Sequence, residues 1–152
     1  MDVEATIRDY IKNVLHMSLG TCVDNKPWVC EVHYVYDDDL NLYFASDASR
    51  RHSQEIAINP NVSGTIHEAH AAGVKPRGVY YEGTAEVLAD MTEDSPILKL
   101  FLERMQYTPK MLPSAQAAEG PRFYKITVND WYLFDARESH PAQKYHWGRS
   151  ET

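Results

Sequence analysis

Disulfide chemistry has little to work with in this chain, which carries two cysteines in 152 residues. Cys22 and Cys30 flank the turn Asp24-Asn25-Lys26-Pro27. Pairing Val23 with Trp28 sets Cys22 opposite Val29 and Cys30 opposite Thr21, so the thiols point to opposite faces and cannot bridge. Two unpaired thiols suit a reducing compartment. Positive charge is also short: 15 Lys and Arg against 22 Asp and Glu give a formal net charge of −7, which argues against a nucleic-acid binder. No apolar run approaches a membrane span, and the N-terminus (MDVEATIRDY) is acidic and polar rather than signal-like. The expectation is a soluble, cytoplasmic protein without nucleic-acid or membrane partners. A nucleophile elbow, a Walker loop, a dinucleotide glycine fingerprint, a paired-Cys metal motif, internal repeats and low-complexity tracts are all missing.

What remains is a pattern of short strands punctuated by a few helices. Val3, Ile7, Tyr10, Ile11, Val14 and Leu15 share one face of a helix predicted over 3–15, with Asp2 as its cap. Strands are predicted at Met17–Val23 and at Trp28–Tyr36. The second sets Trp28, Cys30, Val32, Tyr34 and Tyr36 on one face, and Val29, Glu31, His33 and Val35 on the other. Asp37-Asp38-Asp39 turns the chain into the next strand, which completes a three-stranded meander. After a loop at 67–76, a long strand runs from Arg77 to about Leu88, with Gly83 marking a bulge or bend. A helix over 92–106 places Ile97, Phe101 and Met105 on one face, with Thr92 or Ser95 as cap. Residues 107–120 read as a loop. Arg122–Val128 and Trp131–Asp135 read as a closing pair of strands around Asn129-Asp130, and the region from Arg137 is polar without periodicity. About six strands with inserted helices predict a mainly β, antiparallel barrel in one domain spanning 1–152.

The most informative stretch is Leu42 to Ile66 (LYFASDASRRHSQEIAINPNVSGTI), read as strand, turn, short helix, strand. Ser49 is the predicted N-cap, Ile56 and Ile58 are expected to face a core, and Asn59-Pro60 ends the helix. Arg50, Arg51 and His52 then occupy the first turn, beside unsatisfied backbone N–H groups at the positive end of the helix dipole. With Ser46 and Ser49 adding hydroxyl donors, this is the composition of a phosphate site. Three weaker constellations accompany it. His67 and His70 with Glu68 lack a third ligand and read as a solvent-facing pair, so no metal is expected. Lys75 and Arg77 flank Pro76 as a second basic cluster, which matters only if Arg77 and Arg51 converge. Glu31 and His33 project from one strand face as a candidate proton-handling pair.

Three pieces of the chain, in order, resemble the pyridoxamine 5′-phosphate oxidase-like family of FMN-binding split barrels. KPWVCEVHYVYDDDLNLYFAS resembles its second and third strands. SRRHSQEIAINPNVSGTI resembles its Ser-Arg-Lys helix start and the following Asn-Pro-x-Val-Ser strand. RGVYYEG resembles its Arg-Gln-Val-x-x-x-Gly strand. The resemblance runs from the first helix to about Asp135 and implies a six-stranded antiparallel split β-barrel. It implies a homodimer with FMN at the subunit interface, and a flavin-dependent oxidoreductase acting on a small molecule. The alternative is a non-catalytic flavin or haem binding or sensor protein, since relatives of this barrel bind FMN, other flavins, deazaflavin or haem. The implied cofactor site comprises Cys30, Glu31, Val32 and His33 along the isoalloxazine edge, Ala45 and Ser46 at the strand end, and Arg50, Arg51 and His52 at the phosphate. Arg77 and Gly78 complete it. His52 stands where the family usually has lysine, and Gly78 where the oxidases carry a flavin-contacting glutamine. The oxidases' C-terminal tryptophan and arginine-histidine residues have no clear counterpart, which argues against the vitamin B6 oxidase reaction itself. Residues 137–152 are expected to form a tail, flexible or interface-forming.

Overall fold

A computed structural model describes residues 1–89, 91–92, 94–107, 121–139 and 141–149. Apart from Tyr107, the loop expected at 107–120 lies outside the described residues. The elements run α1 (Val3–Ile11), β1 (His16–Val23), β2 (Lys26–His33), β3 (Val35–Tyr36), β4 (Leu42–Asp47), α2 (Arg51–Ile58), β5 (Asn61–Ile66), β6 (Arg77–Val87), α3 (Pro96–Met105), β7 (Pro121–Asp135) and β8 (Lys144–Gly148). All eight strands belong to one antiparallel sheet in the order β2-β1-β5-β6-β7-β4-β3, with β8 added on β7. The class is the expected split barrel, with eight strands among the described residues rather than six. No helix among them is long and apolar enough to cross a membrane.

The extra strands have local causes. Asp24 and Asn25 hold positive φ, 52° and 60°, in the two-residue turn such residues favour. Val23 therefore pairs with Lys26 rather than Trp28, and Cys30 with Leu19. The register differs from expectation by an even number of residues, so the faces do not change; both cysteines are free. The predicted strand over 28–36 breaks at Tyr34, which turns fully into the core and donates its hydroxyl to the carbonyls of Ile11 and Val14. Beyond it, Val35 and Tyr36 pair with β4. The expected meander is therefore interrupted, because β2 and β4 are not partners.

Asn129-Asp130 is not a turn either. β7 is a single strand of 15 residues, with its extra residue at Asn129, where the partner register slips between Glu82 and Gly83. A Cβ on Gly83 would lie 2.2 Å from the Thr127 carbonyl oxygen, so glycine is required at this bulge. The first half of β7 pairs with β4, and Asp130–Phe134 pair with β8, giving regular structure to a region that lacked sequence periodicity.

Inside the barrel, Ile7, Tyr10 and Ile11 of α1 join Met17, Leu19, Leu42, Phe44, Tyr81 and Trp131, all essentially buried. Each such side chain contributes roughly 1.5–3 kcal/mol. The helix is capped as predicted, Asp2 accepting from the Ala5 amide at 3.0 Å, but it ends at Ile11. A smaller cluster on the other face joins Phe101 of α3 to Val35, Tyr43 and Phe123, with Ile97 and Met105 beside it. Arg104 fastens α3 to the barrel. Its guanidinium donates to the carbonyls of Tyr34 (3.1 Å), Lys12 (3.2 Å), Ile11 (2.8 Å) and Val14 (2.7 Å), and lies over the rings of Tyr34 and Tyr36. It thereby satisfies carbonyls left open at the end of α1. Arg104→Met keeps much of the aliphatic stem and removes every donor. The unfolding free energy is expected to fall by about 2–4 kcal/mol in urea titration; an unchanged midpoint would mean that apolar contacts alone hold α3.

Candidate functional site

The opening between β2 and β4 forms a cavity of about 690 Å³. One wall is the edge strand β2, with Trp28, Cys30, Glu31, Val32 and His33. The other is the end of β4, with Ala45, Ser46 and Asp47. Arg50, Arg51 and His52 close one end, Phe101 and Tyr107 the other. Nine of the eleven residues nominated from sequence therefore line one cleft: Cys30, Glu31, Val32, His33, Ala45, Ser46, Arg50, Arg51 and His52. Arg77 and Gly78 do not. Arg77 pairs with Glu68 at 3.3 Å and lies over the Tyr10 ring, while the Gly78 backbone packs against His67. The two basic clusters thus do not converge within one chain.

The cationic end is built from a short turn. Asp47 accepts from the Ser49 amide (2.8 Å) and hydroxyl (2.7 Å), and these bonds hold its carboxyl below the usual carboxylate range. Ser49 is thereby diverted from capping. Arg50, with extended backbone (φ −67°, ψ 147°), is the N-cap, and no side chain caps the first turn of α2. Its leading amides have no side-chain acceptor. Arg51 is held in place: its Nε donates to Glu55 Oε2 at 2.7 Å, Glu55 in turn accepts from Thr21 Oγ1 at 3.2 Å, and the guanidinium lies 4.3 Å over the Trp28 ring. Arg50 makes no ion pair among the described residues. On the buried face of α2, Ile56 packs into the core, whereas Ile58, expected beside it, is 71% exposed.

His52 differs most from expectation. It is not a partly charged substitute for lysine; it is turned inward and 8% exposed. Its Nδ1 lies 3.3 Å from Cys30 Sγ and its Nε2 2.6 Å from Ser46 Oγ. Burial, aided by the Arg50 charge, pushes its pKa below the ordinary value, so the ring is neutral near neutral pH. Burial and the Glu31 carboxylate push the Cys30 thiol up, so it keeps its proton. At the far end, His33 pairs not with Glu31 but with Tyr107, its Nδ1 3.1 Å from the phenol oxygen, and stacks on His16 (5.4 Å between centroids). The His67 and His70 rings also sit 5.4 Å apart, and no group of three metal-ligating side chains occurs among the described residues.

Four lining residues were not nominated from sequence. Trp28 shares the strand face of Cys30, and that face was the signal available. Asp47 was placed in the turn without a role at the site. Phe101 arrives from α3 and Tyr107 from just beyond its end, far along the chain, and no local pattern announces them.

An open antiparallel barrel with an uncapped, arginine-bearing helix start at the mouth of its split is a ligand-binding architecture. A family model described as pyridoxamine 5′-phosphate oxidase matches residues 3–135, and the chain belongs to that family. A UPF0306 protein of Yersinia pseudotuberculosis is 25% identical over 145 residues, covering 92% of this chain and 88% of its own length. Among solved structures, a FAD-binding protein from Mesorhizobium loti is similar at a TM-score of 0.68 and 22% identity, over 87% of this chain and 94% of its own. A pyridoxamine 5′-phosphate oxidase-related, FMN-binding protein from Nostoc punctiforme is similar at a TM-score of 0.64 and 10% identity, over 96% and 86%. These structures share the fold.

The buried neutral imidazole has a consequence for stability. In the unfolded chain His52 takes up a proton near the ordinary value of 6.5, whereas the folded chain resists protonation until lower pH. Its contribution is thus complete above about pH 6.5 and is lost as pH falls toward the depressed folded value. Urea midpoints measured from about pH 7.5 to 5.5 are expected to fall, and His52→Gln is expected to flatten that fall. Parallel slopes for the two proteins would place the imidazole in solvent.

Proposed function

We propose that this protein binds flavin mononucleotide in the cleft between β2 and β4, as a homodimer, and uses it as an oxidoreductase on a small molecule. The observation that carries the reading is the uncapped first turn of α2, with Arg51 fastened by Glu55 and Trp28 at its edge. The residues fit the group. A phosphate needs fixed donors and positive charge, which the α2 amides, Arg50, Arg51 and Ser46 offer. A planar ring needs apolar walls and a polar backbone edge, which Trp28, Val32, Phe101 and the strand over Cys30–His33 offer. Bound there, FMN supplies reversible electron transfer, while the protein supplies position, charge and exclusion of water. Arg77 and Gly78 lie outside this cleft, so a role for them at the cofactor requires the second copy of the homodimer. The exposed Trp28 and Val29 on edge strand β2 suit such a partner. Membership in the family, and the likeness in fold to an FMN-binding and a FAD-binding protein, support the cofactor class.

A non-catalytic haem carrier is the weaker reading. Both nitrogens of His52 are engaged by Cys30 and Ser46, which leaves His33 as the cleft histidine available to iron.

The test is an absorbance spectrum of the purified protein followed by equilibrium titration with FMN. Flavin bands or saturable binding are expected. Arg51→Ala is expected to weaken FMN affinity by about 1.5–3 kcal/mol, the worth of a charge-assisted hydrogen bond. Arg51 is half-exposed and the buried Glu55 keeps its bond from Thr21 Oγ1, so the variant should fold. Unchanged affinity would put the phosphate elsewhere, and a Soret band lost in His33→Ala would favour haem.

A further inference from the structure

The two walls of the cleft belong to strands that share no hydrogen-bond ladder. Among the described residues, His52 alone hydrogen-bonds to both, reaching Cys30 on β2 and Ser46 on β4. The direction of each bond depends on which ring nitrogen carries the proton. With the Cys30 thiol protonated, since burial and Glu31 both oppose the thiolate, S–H is taken as the donor to Nδ1. A neutral ring that accepts at Nδ1 carries its proton on Nε2 and donates it to Ser46 Oγ. A serine oxygen that receives this bond has its own O–H free to turn away from the imidazole, and Ser46 lines the cleft.

We propose that His52 is a positioning residue: by bridging Cys30 and Ser46 it fixes the Ser46 hydroxyl as a donor to the ligand's phosphate and holds the two walls at their spacing. The proposal rests on the flavin reading for the identity of that ligand. It also accounts for the departure at position 52, where the resemblance implies lysine. The cation is exchanged for an internal bridge, and the charge facing the phosphate comes from Arg50 and Arg51. The titratable and charged groups around His52 are Arg50 at the N-cap and Glu55 on α2, Cys30 on β2, and Glu31 and Asp47 on the two walls of the cleft; the Phe44 ring lies 6.2 Å away. An imidazolium has no lone pair for the Cys30 thiol, so protonation breaks one arm of the bridge.

Flavin fluorescence titration of wild type, Ser46→Ala, His52→Ala and the double variant tests the claim. If His52 acts through Ser46, each single variant loses roughly tenfold in FMN affinity and the double variant loses no more than the larger single. His52→Gln, whose amide offers both a donor and an acceptor, recovers part of the loss and covers the case in which alanine fails to fold. Losses that multiply in the double variant would overturn the proposal. Nitrogen-15 NMR of the histidine rings at neutral pH is the independent arm, and it needs no flavin: the His52 proton is expected on Nε2, and a proton on Nδ1 would overturn the proposal. Absence of FMN binding by wild type, with the Nε2 proton present, would leave the bridge intact and defeat the flavin reading instead.

Discussion

The sheet of this protein curls round but is never closed by hydrogen bonds between β2 and β4, and most of what the molecule can bind depends on how that opening is spanned. Tyr34 leaves the plane of β2 to anchor on the end of α1, carrying the chain across to β3 and leaving β2 as a largely exposed edge strand. An open edge with apolar side chains is a liability unless something covers it. Here α2 packs along part of it, and the remaining space is a cleft walled by aromatic rings and capped by arginines.

Electrostatics decide which end of that cleft receives an anion. A chain with a formal charge of −7 repels phosphate at long range, so attraction must be local. Arg51 is held by a buried carboxylate that itself accepts from Thr21, which limits the side-chain entropy lost when a ligand binds. Asp47, four residues before Arg51, is occupied by Ser49. Neutral His52 adds no charge; it contributes by setting the positions of its neighbours.

Much of this was legible in the chain, and the failures are instructive. The α2 segment was found because helix signals and cations coincide within a few residues, and the faces of the first hairpin survived a changed register because the slip was even. The long strand β7 was divided at Asn129-Asp130 because a bulge and a turn use the same residues; only the partner Gly83 distinguishes them. β8 was missed because its pairing with β7 is decided by tertiary context rather than by alternation. Ser49 failed as a cap because Asp47 competes for its hydroxyl. His52 reads as a partly charged first-turn residue because the thiol and hydroxyl that draw it inward lie on strands that local spacing does not connect. Phe101 and Tyr107 enter the cleft because α3 docks through the Phe101 cluster and through Arg104 on the end of α1.

The central claim is that the α2 end of the cleft holds the phosphate of a flavin. Comparing FMN with riboflavin tests it most directly, since the two share a ring and ribityl chain and differ in the phosphate alone. Equilibrium fluorescence titration of the purified protein is expected to give FMN an affinity at least roughly tenfold above riboflavin, the worth of one or more charge-assisted hydrogen bonds, with the gap narrowing as salt is raised. Equal affinities, or binding of neither, would contradict the account.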